Sequence, residues 1–229
     1  MNCIVTAGPT YEPLDDVRRL TNFSTGRLGS ELATFLTSNG HEVTLLIGQQ
    51  AAWHGDRRAA VVETFTTTAS LREKLCKLAG PEIHAVFHAA AVSDFTFGKV
   101  LERAATGALT EVKAKKIPTR SANLLVELTP TAKIIVELRG WFPNAFLIGW
   151  KYEMDGDRNA VLARAARQIA ECKTDLCVAN GAAYGSGFGI VDGSGKLENC
   201  ETMRDLFAGL ARRIRPARGD ESSVSPSSE

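Results

Sequence analysis

The chain has 229 residues, of which 44% are hydrophobic. That suffices for one full-sized domain with a buried core. A formal charge of +1 argues against electrostatic binding to nucleic acid or to an anionic membrane surface. No window approaches the ~20 apolar residues of a membrane span, and the opening MNCIVTAG lacks the basic and apolar regions of a signal peptide.

In chain order, the β-branched apolar run CIVTA (3–7) reads as the first strand. The long stretch TAGPTYEPLDDVRRLTNFSTGRLG (6–29) leads into a helix, GRLGSELATFLTSNG (26–40), closed by Asn39-Gly40. EVTLLIG (42–48) and AVVETF (60–65) read as strands, and TASLREKLCKLAG (68–80) as a helix opened by a Ser/Thr cap. AVFHAAA (85–91) is a further strand. The segment from 95 to 128 has no single period and is expected to hold an irregular flap near 95–121, then a strand near 122–128. Thr129 and Pro130 carry the signature of a helix start. AFLIGW (145–150) and DLCVAN (175–180) are strands flanking the Ala- and Arg-rich helix RNAVLARAARQIAECK (158–173). SGFGIVDGSGKLENC (186–200) reads as a hairpin turning at DGSG, and ETMRDLFAGLARRIR (201–215) as a closing helix with basic residues at its C-terminal end.

Continuous apolar strands alternating with helices predict an α/β fold: a doubly wound, mainly parallel sheet with helices on both faces. Its site is expected at the carboxyl ends of the strands. Residues 1–216 are read as one domain, and the Ser-rich 217–229 as a disordered polar tail in which RGD is a chance tripeptide. The cysteines Cys3, Cys76, Cys172, Cys177 and Cys200 show no CxxC pair and no metal-ligand spacing, as expected of reduced thiols in a cytoplasmic protein.

Five stretches could carry chemistry. Gly8 lets amides approach a phosphate, and Ser24, Thr25 and Gly26 stand where a helix N-terminus would offer further amides, although Ser or Thr there also serves as an ordinary cap. Arg18, Arg19 and Asn22 lie between them. Arginine holds a carboxylate or phosphate bidentately, and asparagine both donates and accepts; a solvated charged loop is the competing reading. In HAAAVSDF (88–95) the small residues admit a flat ring, and Asp94 could accept from an amine or ribose, or simply make a turn. KAKK (113–116) is either a solvated face or a counter-charge for a triphosphate. In VELTPTAKII (126–135) a helix starting at Pro130, capped by Thr129, could provide a further set of amides, and Asn180 ends the last parallel strand, where a polar residue is a candidate for a site or a turn.

Together these residues resemble phosphopantothenoylcysteine synthetase, over about residues 3–215. TAGPTYEPLDDVRRLTNFSTGRLG is similar to the family's opening, with its N-x-S-[ST]-G-[KR]-x-G turn. AAAVSDF, KAKK and DLCVAN resemble three further family motifs, in the family's order. The resemblance implies a Rossmann-like fold and a cytoplasmic homodimer with its site near the subunit interface. It also implies a two-step ligation of 4′-phosphopantothenate and L-cysteine through an acyl-nucleotide, using CTP or ATP with Mg2+.

By the same resemblance, Asn22, Lys113 and Arg18 are the catalytic residues. Arg18, Asn22 and Asn180 would hold substrate. The nucleotide would lie against Gly8, Thr10, Ser24, Thr25 and Gly26, and against Ala90, Asp94, Lys113, Pro130, Thr131 and Trp150. No residue is assigned to a metal. The chain departs from the family at WKYEM (150–154), at Gln168 and Cys172, and at ANG (179–181), all on the nucleotide side, which leaves CTP or ATP open. The length leaves no room for the flavin decarboxylase to which many family members are fused, so no flavin is implied.

A short-chain NAD(P) oxidoreductase is the main alternative. It lacks support from a compact glycine turn after the first strand, and Tyr11, Tyr152 and Tyr184 are each without a lysine four residues on. A non-catalytic nucleotide-binding relative is the third reading.

Overall fold

The structure is a computed structural model that describes residues 1–118 and 123–214. The expected tail at 217–229 and part of the expected flap lie outside these residues. Thirteen strands and five helices are described, in three sheets. The main sheet begins with β1 (Asn2–Ala7), which pairs in parallel with β4 (Glu42–Gly48) on one side and β6 (Ile83–His88) on the other. β5 (Val61–Phe65) extends it beyond β4, and β10 (Phe146–Tyr152) and β11 (Leu176–Asn180) extend it beyond β6, all in parallel. β12 (Phe188–Asp192) and β13 (Leu197–Cys200) complete the far edge as the expected antiparallel hairpin. Counting only parallel strands, the order is 3-2-1-4-5-6, the doubly wound arrangement whose switch point falls between β1 and β6.

Helices cover both faces because the inner strands are apolar on both. α1 (Arg27–Ser38) and α5 (Met203–Ile214) bury Leu32, Leu36, Leu206 and Leu210 against Val5, Phe87 and Val178. On the other face α2 (Thr68–Lys77) and α3 (Ile134–Trp141) set Leu71, Leu75 and Leu138 against Ile4, Val86 and Leu147. Beside them α4 (Arg158–Cys172) buries Val161, Ala165 and Ile169. α2 and α4 start as the sequence suggests, with the Thr67 and Asp157 side chains accepting from Ser70 and Ala160 amides.

Three expectations are corrected. Residues 95–111 are not irregular, although 112–118 are: β7 (Phe95–Arg103) pairs antiparallel with β8 (Leu109–Glu111) and with β9 (Asn123–Pro130), forming a three-stranded arm. β9 is the strand expected near 122–128; in β7 a register shift between Phe97 and Val100 breaks the period-2 pattern and only Val100 is buried, so no apolar alternation marks it in the sequence. Pro130 does not begin a helix. It ends β9 opposite Phe95, and α3 starts only at Ile134, with Lys133 at its N-cap. A proline is equally at home in the last position of an edge strand. The strand read as 85–91 also stops at His88.

A small hairpin, β2 (Tyr11–Pro13) with β3 (Arg19–Thr21), fills the long stretch after β1. Buried Glu12 anchors it: one carboxylate oxygen accepts from the Thr68 amide and the other from the Thr96 hydroxyl, joining hairpin, α2 and arm.

Candidate active site

The switch point opens into a cleft of about 1360 Å³ across the carboxyl ends of β1, β6, β10 and β11. Its α1 side is built by close backbone contact. Gly8 and Gly26 both adopt positive φ, 77° and 76°. Gly26 is the N-cap of α1 and offers no side-chain cap; the Arg27 amide donates to Thr25 Oγ1 (3.3 Å), and the Leu28 and Gly29 amides stay available to an anion. Gly29 sits so close to β1 that a Cβ there would lie 2.5 Å from the Ala7 Cβ. The helix start therefore rests directly on the strand.

Asn22 reaches across the opening. Its side-chain amide donates to the carbonyls of Ala91 (3.1 Å) and Val92 (3.3 Å), just past β6. The Gly8 carbonyl accepts from the Ala91 amide (2.9 Å), and the Thr10 amide donates to the Ala91 carbonyl (3.1 Å), so the loops after β1 and β6 are laced together. Ser93 is fixed from two sides: its amide donates to Thr10 Oγ1 (2.8 Å) and its carbonyl accepts from Thr131 Oγ1 (2.5 Å). That leaves the Asp94 carboxylate on the cleft wall with no partner among the described residues.

Of the residues anticipated from sequence, Gly8, Asn22, Ser24, Thr25, Gly26, Ala90, Asp94, Thr131, Trp150 and Asn180 line the cleft together. The indole N–H of Trp150 and the side-chain oxygen of Asn180 are buried there and have no partner among the described residues. Thr10, Arg18, Lys113 and Pro130 do not line it. Thr10 is fully buried behind Ser93. Arg18 turns to Asp15, forming an ion pair at 2.5 Å, and donates to the Ile117 carbonyl (2.7 Å). The Asp15 carboxyl, held by Arg18 and by the Ile117 amide, lies well below the usual carboxylate range. The Asp16 amide donates to the Lys115 carbonyl, so the Arg18 loop and the lysine segment are strapped to each other. Lys113 itself is 81% exposed, 3.4 Å from Glu111.

The far side of the cleft was less visible in sequence. There α4 presents Arg164, Arg167, Gln168, Glu171 and Cys172 at helical spacing, facing Lys133, Lys151 and Glu153. Glu153 pairs with Arg164 (3.0 Å) and Lys151 (3.5 Å). His88 was passed over, although it opens the HAAAVSDF run, and a polar residue at a strand's carboxyl end was the available signal. It is buried in the cleft floor, and burial alone pushes its pKa down to about 4. Its Nδ1 lies 3.0 Å from Thr6 Oγ1, which also accepts from the Ala90 amide. Cys177, beneath α4, is pushed up to about 12 by burial and is inert as a nucleophile.

Residues 1–204 match the family described as the DNA/pantothenate metabolism flavoprotein C-terminal domain. The chain belongs to this family. It is 34% identical over 177 residues to the coenzyme A biosynthesis bifunctional protein CoaBC of Thermococcus kodakarensis, covering 77% of this chain and 40% of that protein. It is 30% identical over 221 residues to a cysteine/cysteine sulfinic acid decarboxylase of an unknown prokaryotic organism, covering 92% and 56%. The chain thus spans roughly half the length of these relatives. Among solved structures, the DNA/pantothenate metabolism flavoprotein from Streptococcus pneumoniae superposes with a TM-score of 0.82 at 25% identity, covering 93% of this chain and 98% of that one. The Rossmann-like architecture anticipated from sequence is the architecture of this family. No helix among the described residues is long and apolar enough to cross a membrane.

Proposed function

We propose that this chain is a ligase that joins 4′-phosphopantothenate to L-cysteine through an acyl-nucleotide, a step of coenzyme A biosynthesis. The observation that carries the reading is Asn22 lying over the β6 end, beside a glycine-built helix start in one cleft. Such a site gathers amide donors where two anions must meet and needs no general base. Coenzyme A biosynthesis in the name of one relative supports the reading.

In this reading the α1 amides with Gly8, Ser24, Thr25 and Gly26 bind phosphate oxygens of CTP or ATP, and Trp150 packs on the nucleotide. The phosphopantothenate carboxylate attacks the α-phosphorus and pyrophosphate leaves. The cysteine amine then attacks the acyl carbon and releases the nucleoside monophosphate. Asn22 holds the acyl-nucleotide for the second step. Mg2+ favours octahedral oxygen ligation from one or two carboxylates plus phosphates. The unpartnered Asp94 carboxylate fits as one such ligand, and the ion would supply charge neutralisation on the phosphates.

Arg18 and Lys113 lie outside the cleft of their own chain. A homodimer in which one subunit's hairpin and lysine segment complete the other's cleft reconciles this with their proposed roles. The exposed apolar side chains Val17, Leu20 and Phe23 by the hairpin, and Phe95, Leu109 and Leu128 on the arm, support such a contact. A cytoplasmic location accompanies the reading. The test is pyrophosphate release from the full chain supplied with phosphopantothenate, cysteine, Mg2+ and CTP or ATP. No release with either nucleotide would refute it.

A further inference from the structure

Glu12 is a buried carboxylate that stands outside the cleft lining, and the mechanism above gives it no role. It belongs to the β2–β3 hairpin, which leads the chain into Asn22. Each strand of that hairpin has three residues, and of them Glu12 alone is buried. A ribbon this short, with no apolar face to bury, does not hold a fixed place by itself. Its place is set by polar side chains that point inward, namely Thr10, just before β2, and Glu12 two positions on.

These two residues reach different parts of the molecule. Thr10 ties the start of the hairpin to the loop after β6, through its amide to the Ala91 carbonyl (3.1 Å) and through Oγ1, which accepts from the Ser93 amide (2.8 Å). Glu12 ties the body of the hairpin to two elements rooted elsewhere. One oxygen accepts from the amide of Thr68 (3.0 Å), the first residue of α2 and one of the helix-start donors that no carbonyl of the helix can satisfy. α2 is itself seated in the core by Leu71 and Leu75. The other oxygen accepts from the hydroxyl of Thr96 (3.2 Å) on β7, opposite Thr129 of β9. The Tyr11 amide adds a bond to the Thr66 carbonyl (3.0 Å). In the ladder Glu12 faces Leu20, two residues before Asn22. The bridge from α2 to β7 therefore sets where the hairpin stands, and with it where the Asn22 amide meets the Ala91 and Val92 carbonyls. The α1 turn is seated independently: the Trp53 amide donates to the Thr25 carbonyl (2.9 Å), and Gly29 rests on Ala7.

We propose that Glu12 is a positioning residue for Asn22. It touches no substrate and acts by holding the hairpin at α2 and β7. The inference rests on the ligase reading, in which Asn22 serves the second step. Loss of the bridge should then impair that step and spare both nucleotide binding and pyrophosphate release. A misplacement of about 1 Å at such a group costs up to roughly 100-fold in rate.

The test follows pyrophosphate release and final product in Glu12→Ala and Glu12→Gln, with the acyl-nucleotide measured by mass spectrometry. In Glu12→Ala, pyrophosphate release should persist while product slows roughly 10- to 100-fold and the acyl-nucleotide accumulates. Glu12→Gln should restore product formation, because its amide can accept from Thr68 and donate to the Thr96 oxygen. Thr96→Val removes a single hydroxyl from the arm and keeps the test decisive if Glu12→Ala fails to fold; it should show the same step-selective defect at roughly 3- to 10-fold. Product at the wild-type rate in Glu12→Ala and Thr96→Val, both steps slowed in equal proportion, or a glutamine variant no better than alanine would overturn the proposal. Hydrogen exchange gives an arm independent of turnover: amides over 11–21 should exchange faster in Thr96→Val while those of α1 do not change, and unchanged exchange over 11–21 would also overturn it. A wild-type chain that releases no pyrophosphate would refute the ligase reading, and the exchange result would then decide the hairpin bridge by itself.

Discussion

His88 gives the protein a specific acid sensitivity. The imidazole is buried neutral beside Thr6, and its pKa of about 4 lies below the ordinary 6.5. The unfolded chain takes up a proton that the native chain refuses, so the unfolded state gains as pH falls. The contribution is fully present above pH 6.5 and is lost progressively as pH falls towards 4. The gap corresponds to about 3 kcal/mol in the limit, and about 2 kcal/mol of it should be spent between pH 7 and pH 4.5. Urea unfolding midpoints across that range measure the loss. Carboxylates held low by hydrogen bonds, such as Asp15, Asp192 and Asp205, add their own acid dependence, mainly at lower pH. The informative quantity is therefore the difference between wild type and His88→Gln, which cannot titrate and still offers the Thr6 hydroxyl an acceptor. The wild type should lose about 2 kcal/mol more than the variant over this interval. Parallel pH dependences would show that His88 takes up its proton equally in the native and unfolded states and would refute the reasoning.

Asn22→Asp replaces a donor to the Ala91 and Val92 carbonyls with a carboxylate that repels them. We expect pyrophosphate release to persist while final product slows by roughly 10-fold or more; mass spectrometry should find the acyl-nucleotide accumulating, and normal turnover would contradict the role. Lys113→Gln should block pyrophosphate release itself, and a variant that still forms the intermediate at the normal rate would exclude Lys113 from the first step. Gly29→Val would drive α1 away from Ala7 and the Thr6 carbonyl, costing about 2–3 kcal/mol of stability; a thermal midpoint equal to wild type would mean the helix start is not seated on the strand as described.

The legible part of this protein was what local pattern encodes. Leu32, Leu36, Leu71 and Leu75 recur at helical spacing, while β4 and β6 are continuous apolar runs. Those patterns carry the doubly wound fold, because a strand buried on both faces has no polar alternation to confuse it. The arm was only half legible: β9 was expected near 122–128, but β7 and β8 bury only Val100 and show no apolar alternation that separates strand from loop. Pro130 misled because proline is compatible with both a helix start and a strand end, and only the pairing with Phe95 decides.

The sequence by itself determined the sheet, its helices, and the glycine and asparagine stretch that lies over the cleft. These depend on residues within a few positions of one another, where periodicity and backbone freedom act. Tertiary structure alone decided which distant groups meet. Arg18 and Lys113 belong to motifs that suggest a site, yet one is held by Asp15 and Ile117 and the other stands in solvent. His88 and Gln168 are 80 positions apart and line one cleft only because β6 and β10 pair in register at Gly149. Their hydrogen-bond partners, Thr6 for His88 and Cys177 for Gln168, come from other strands of the sheet, and no one-dimensional pattern carries them.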